Sequence, residues 1–219
     1  MIVTSLLPLL FLAQSPLPLD EILTRMKLAD QTRLSRFAGY TGTRNYSINT
    51  PRIGLKASMK VDVQVLPTGV KQFKIVSMTG PGALKKMVFQ RMLDTETKAS
   101  QPEVQSSTKI NQDNYDFKFV ETRSENNRTL YVLSAEPKSV NPLLFKGNIF
   151  VDSEHFAITR LEGSPARKPS MWVESTKFVH EYIPVGEHWF ARTNRSLTNV
   201  RVFGKAEVLI EYNDYKLAP

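Results

Sequence analysis

The chain has 219 residues and no cysteine, which excludes disulfides, thiolate metal sites, cysteine nucleophiles and a lipid anchor carried on an N-terminal Cys. Its 29 Lys and Arg against 21 Asp and Glu give a formal net charge of +8, a balance that suits lipid head groups, nucleic acid or acidic polymers. The basic residues are scattered along strand-like and turn-like stretches, so solvated sheet faces account for them.

The first charged side chain is Asp20, and residues 2–13 are almost wholly apolar. At ~1.5 Å per helical residue that run extends about 18 Å, short of the ~30 Å hydrocarbon core of a bilayer. Pro8 would break a buried helix there, whereas Ala13-Gln14-Ser15 fits the small-residue end of a secretory signal. No Lys or Arg precedes the run. Residues 1–18 are therefore expected to be a signal peptide, and 19–219 a single soluble domain exported to the periplasm.

"LDEILTRMKLADQTRLSRF" puts Leu19, Ile22, Leu23, Met26 and Ala29 on one helical face, with Asp20 and Glu21 at the positive N-terminal end. The period then changes to two. In "ASMKVDVQV" Ala57, Met59, Val61, Val63 and Val65 alternate with Ser58, Lys60, Asp62 and Gln64, as in a sheet wet on one face. Pro67-Thr68-Gly69 turns the chain into "VKQFKIVSM". "GPGALKKMVFQRMLD" reads as a second helix entered through a Gly80-Pro81-Gly82 hinge, and the polar residues 95–114 as a long surface loop.

From Tyr115 onward strand follows strand. "YDFKFVE" and "RTLYVLSA" flank a turn at residues 124–127, and "LLFKGNIFVD" meets "HFAITRLEG" across 152–154. "MWVESTKFVHEYI", "HWFARTNRSLTNV" and "KAEVLIEYNDY" are joined by Pro184-Val185-Gly186-Glu187 and by Phe203-Gly204. Nine or so strands with two helices predict a mainly β (α+β) fold: one strongly curved antiparallel sheet, or open barrel, covered by helices.

Few polar groups converge as catalysis would need. His180 and His188 flank a hairpin turn beside Glu181 and Glu187, but at no metal-site spacing, and His155 reads as a turn residue. There is no Gly-x-Ser-x-Gly elbow. Gly80-x-Gly82 lacks the rest of a phosphate loop. The aromatic and basic interleaving in "YDFKF" and "WFARTNR" follows from strand alternation, so nucleic-acid binding is not expected. The remaining feature is apolar: Met87, Val88, Phe89 and Met92 on a hinged helix face a sheet that supplies Phe117, Phe119, Trp172, Phe178, Tyr182 and Trp189. These residues could form an ordinary filled core or the lining of an acyl-chain cavity.

"FAGYTGTRNY" after the first helix, "KGNIFVDSEHFAITRLEG", "FVHEYIPVGEHWFARTNRS" and the closing "VLIEYNDYKL" resemble the LolA/LolB-like superfamily, most closely its outer membrane lipoprotein-sorting branch. The resemblance implies an open β-barrel with helices in its mouth and an apolar cavity for lipoprotein or lipid acyl chains. It also implies no catalysis and no cofactor. No metal is expected, and a monomer working with membrane donor and acceptor proteins is. Such carriers are thought to control a lid through an arginine in an early strand, which implies that role for Arg44 in "GTRNY", with Arg52 the nearby alternative. The same fold serves RseB/MucB-like periplasmic regulators, which bind an anti-sigma factor and usually carry a second domain. A structural envelope-interaction protein with a packed core is a third reading.

Overall fold

In the computed structural model, which describes residues 17–82, 88–168, 171, 173–201 and 204–219, one ten-stranded antiparallel sheet dominates the fold. The strands are β1 (Tyr40–Thr50), β2 (Leu55–Val65), β3 (Lys71–Thr79), β4 (Tyr115–Glu125), β5 (Arg128–Pro137), β6 (Phe145–Asp152), β7 (Ile158–Pro165), β8 (Val173–Val185), β9 (His188–Val200) and β10 (Gly204–Leu217). The helices are α1 (Leu19–Ser35), α2 (Gln90–Ala99) and α3 (Pro102–Thr108), and a single 3-10 turn, Pro51–Ile53, joins β1 to β2. The expected signal peptide falls almost entirely outside the described residues, as do Met87 and Trp172.

The strand order is β3-β2-β1-β10-β9-β8-β7-β6-β5-β4. Neighbours in sequence are neighbours in the sheet except at two places: β1 pairs with β10, and β3 and β4 form opposite edges, so the sheet is not closed. The chain between β3 and β4 must therefore travel from one edge to the other, and α2 and α3 lie in that crossing segment. Residues 95–114 are accordingly not the long loop expected from their polarity. They contain the second half of α2 and all of α3, which begins with Pro102 in its first turn, where a missing N–H costs nothing.

Register links one residue of every strand into a row across the face that carries the helices. From β3 to β4 through the sheet order it reads Met78, Met59, Tyr46, Ile210, Asn194, His180, Leu161, Ile149, Leu133, Phe119. The two ends of the row belong to separate cores. On the β4–β7 side Ile22, Leu23 and Met26 of α1 pack against Leu133, Ile149, Val151 and Leu161. On the other side Phe89 and Leu93 pack against Tyr46, Met59, Val61 and Ile210. Among the described residues neither core includes a side chain of β9. On the opposite face a smaller cluster of Leu130, Val132 and Phe150 is buried beneath Arg160, whose guanidinium carbon lies 3.9 Å from the Phe150 ring centre and which pairs with Glu125 and Glu162.

Candidate functional site

The first unusual feature is a charge on the dry face. Arg44 is 2% exposed, pointing from the middle of β1 to the same side as Tyr46 and Ile48. Its guanidinium pairs with Glu96 of α2 and lies between two aromatic faces, 5.1 Å from the ring centre of Phe73 and 4.8 Å from that of Tyr212, in the geometry of cation–π attraction. Glu96 also accepts the Tyr46 hydroxyl at 3.0 Å and has the Lys71 ammonium at 3.6 Å. Burial disfavours the Glu96 carboxylate, but Arg44, Lys71 and the donated hydrogen bonds outweigh that effect and hold its pKa below the ordinary value. The Tyr46 hydroxyl, buried beside that carboxylate, is pushed up.

Glu96 is thus the point at which α2 is fastened to β1. Val88 and Phe89, a π-helical turn leading into α2, place the Phe89 ring, 0% exposed, edge-on to Tyr46 at 6.5 Å. The far end of the helix is tied to the β3 edge. The Lys71 backbone N–H donates to Ser100 Oγ at 3.0 Å, and the Gln105 side chain donates to the carbonyls of Thr68 and Ser100. Arg52, the alternative lid arginine, lies in the 3-10 turn and is exposed.

The second feature is the space beside the helices, in two parts, the first bordering both cores and the second only the α1 core. One cavity of about 390 Å³ is lined by Met92, Ile110, Tyr115, Leu144, Phe145, Leu161, Phe178, Val208 and Ile210, with Thr108, Thr176, His180, Asn194 and Ser196 as polar members. A second, of about 490 Å³, is lined by Leu23 and Met26 of α1, by Ile110, Phe117, Phe156, Tyr182 and Trp189, and by charged side chains including Lys27 and Asp30. Ile110 belongs to both, so the cleft is divided at the segment that follows α3. Both volumes lie within the range of ligand pockets.

Of the sequence candidates, Met92 and Phe178 meet in the first cavity, and Phe117, Tyr182 and Trp189 in the second. Phe119 packs against the α1 core, and Val88 and Phe89 belong to the α2 core. The two hairpin histidines are not brought together. His188 stacks on Phe190 near the hairpin tip, whereas His180 stacks on Tyr182 and Tyr212. Burial pushes the His180 imidazole down to about 4, with the Lys71 and Arg44 charges adding to the effect. His155 is held in its turn by Asp152, as its position predicts. Among the described residues no group of three or more His, Asp or Glu could hold a metal ion, and no helix is long and apolar enough to cross a membrane.

Sequence reasoning missed Glu96, Lys71, Phe73 and Tyr212 around Arg44, and Asn194 and Ser196 in the cleft. One available signal was Arg44 itself, which interrupts the dry-side series Tyr40, Tyr46, Ile48. Another was β9, where the alternation fails: Asn194, Ser196 and Thr198 face the helices while Leu197, 45% exposed, faces away.

No family model matches the chain, and no curated protein does. Solved structures are similar to it. A DUF1329 family protein from Desulfovibrio piger is 12% identical, with 91% of this chain and 93% of that one covered at a TM-score of 0.47. An outer membrane lipoprotein-sorting protein domain from Vibrio parahaemolyticus is 11% identical, with 87% and 91% covered at 0.43. A LolA superfamily protein from Nitrosomonas europaea is also 11% identical, with 93% and 95% covered at 0.42.

Proposed function

We propose that the protein is a non-catalytic carrier that shelters acyl chains of a lipid or lipoprotein in the divided cleft beside its helices. The observation that carries this reading is the pair of cavities, of about 390 and 490 Å³, the first walled in part by Met92 of α2 and the second by Leu23 and Met26 of α1. The wall of the first is mainly Met, Leu, Ile, Val and aromatic side chains; such side chains make up half of the second, and most of the rest are polar or charged. Burial of each methylene there contributes ~0.8 kcal/mol. Methionine, with three rotatable bonds, suits a flexible chain. Residue 92 is such a methionine, and it rides on α2, so a movement of that helix alters the cavity wall directly.

In this reading α2 is the lid and the Arg44–Glu96 pair its latch. The apolar leader at residues 2–13 supports delivery of the chain to the periplasm, where apolar cargo must cross water between a membrane donor and an acceptor, with the carrier acting as a monomer. The test is mass spectrometry of organic extracts from protein purified without detergent, together with titration of a fluorescent fatty-acid probe. Copurified acyl lipid and saturable probe binding are expected. A lipid-free protein that also leaves the probe in water would overturn the carrier reading and favour a packed structural domain.

A further inference from the structure

The cross-strand row described above is apolar or aromatic at every position except two adjacent ones, Asn194 and His180, at its centre. The next inner-face pair on the same two strands is Phe178 and Ser196, and the one after it Thr176 and Thr198. A polar strip therefore runs along β8 and β9 through the floor of the 390 Å³ cavity, flanked by Ile210 and Val208 on one side and Leu161 on the other. Cross-strand neighbours of this kind act as a unit.

The strip has spare hydrogen-bonding capacity. The side-chain hydrogen bonds of β9 come from Thr193, Thr198 and Asn199, which leaves Asn194 and Ser196 without a partner among the described residues. His180 Nδ1 lies 3.3 Å from the Tyr182 hydroxyl, while its Nε2 is buried and unpartnered. A half-buried Asn and Ser in an apolar cavity are destabilising once a ligand displaces water, unless the ligand itself bonds them. The strip also lacks charge. Among the described residues no lining side chain of this cavity is ionised at neutral pH, His180 being held neutral by its burial. The nearby cations Arg44 and Lys71 are both paired with Glu96.

We propose that the strip of Asn194, Ser196 and His180 recognises an uncharged polar group within the acyl cargo, an ester or amide linkage, and thereby selects esterified or amide-linked chains over free fatty acids. An ester carbonyl can accept from the Asn194 amide and the Ser196 hydroxyl. An ionised carboxylate in the same place would be desolvated with no cation among the described lining residues to meet it. The inference rests on the carrier reading and specifies the class of chain that it carries.

The test compares 1-monolauroylglycerol with laurate at pH 8, by isothermal titration of the full chain and of the Asn194→Leu and Ser196→Ala variants, each checked by circular dichroism. The ester is expected to bind the unaltered protein about tenfold or more tightly than laurate, with the preference shrinking severalfold in either folded variant. Laurate binding as tightly as the ester, or a preference unchanged in both variants, would overturn the inference while leaving the carrier reading in place. Failure of both ligands to bind the unaltered protein would instead remove the carrier reading beneath it.

Discussion

Replacing Glu96 by Gln is the sharpest perturbation of the Arg44–Glu96 pair, which the carrier reading makes a latch, because it keeps the shape and an acceptor for the Tyr46 hydroxyl but removes the counter-charge. Arg44, 2% exposed, cannot turn to water, and the Phe73 and Tyr212 rings on its faces offer attraction but no full charge. Breaking one partner of a buried ion pair costs about 3–5 kcal/mol, and the 3.6 Å approach of Lys71 adds a second uncompensated cation. The loss should fall on α2 rather than on the whole sheet. Among the described residues the α1 core on β4–β7 shares no member with the α2 core, so α2 can leave while the other half stays packed. Native-state hydrogen exchange of residues 88–99 reads this directly. Their protection should fall by about two to three orders of magnitude in Glu96→Gln, with amides of β5 and β6 changed far less. The double variant Arg44→Met/Glu96→Met, which replaces the pair with apolar groups, should recover most of the protection. Equal loss of protection across α2 and β5–β6, or a double variant no better than the single one, would refute the idea of a latch.

Stability should depend on His180 below neutrality. Its folded pKa of about 4 lies under the ordinary value, so between about 6.5 and 4 the unfolded chain holds a proton that the folded chain lacks. Stability from this group is complete above that window and falls by about 3 kcal/mol as pH drops through it. Urea midpoints of His180→Gln should decline less with acid than those of the unaltered protein; parallel declines would refute the assignment. Gly80, at φ +111°, would bring an added Cβ to 2.7 Å from the Ala57 Cβ, so Gly80→Ala should destabilise by about 1–3 kcal/mol, seen as a lower Tm, and an unchanged Tm would show that the hinge relaxes freely. Phe89→Ala, at a position with 0% exposure, should cost about 3–5 kcal/mol. Met92→Glu, on the cavity wall, should instead weaken acyl-probe binding more than it lowers Tm; equal effects would make residue 92 merely core.

The elements with one dry and one wet face were readable. In β2 Ala57, Met59, Val61, Val63 and Val65 are all buried and their neighbours exposed, and Ile22, Leu23 and Met26 are the buried face of α1. β1 was not readable as a strand, because its dry side carries Gly42 and Arg44 where alternation demands apolar residues. α3 escaped for a different reason: none of its residues is buried, so it leaves no periodic apolar trace, and Pro102 at its start was the only local sign. The pairing of β1 with β10 joins residues 158 to 177 positions apart, and no short-range pattern encodes that. Yet this pairing puts Tyr212 beside Arg44 and turns a loose resemblance at "GTRNY" into a defined cluster.

Both polar intrusions on the inner face occur where a strand breaks its own alternation, and the two have opposite electrostatic character. At Arg44 the polar group is charged, paired and enclosed by aromatic rings, so its energy is tied to whether α2 is docked. At Asn194 and Ser196 the groups are neutral and unpaired, so their energy is tied to what fills the cavity. In the carrier reading the lid and the floor are linked through Met92, which is packed on the α2 core and faces the cavity, and through His180, which lies under the Arg44 and Lys71 field while lining the same space. A cargo that displaces Met92 would therefore load the helix held by Glu96. Binding measured in Glu96→Gln should then be faster to exchange than in the unaltered protein, because the lid opens at lower cost without any change in the floor that the cargo touches. Exchange of the acyl probe at an unaltered rate would separate the latch from the cavity and leave Arg44 a purely structural charge.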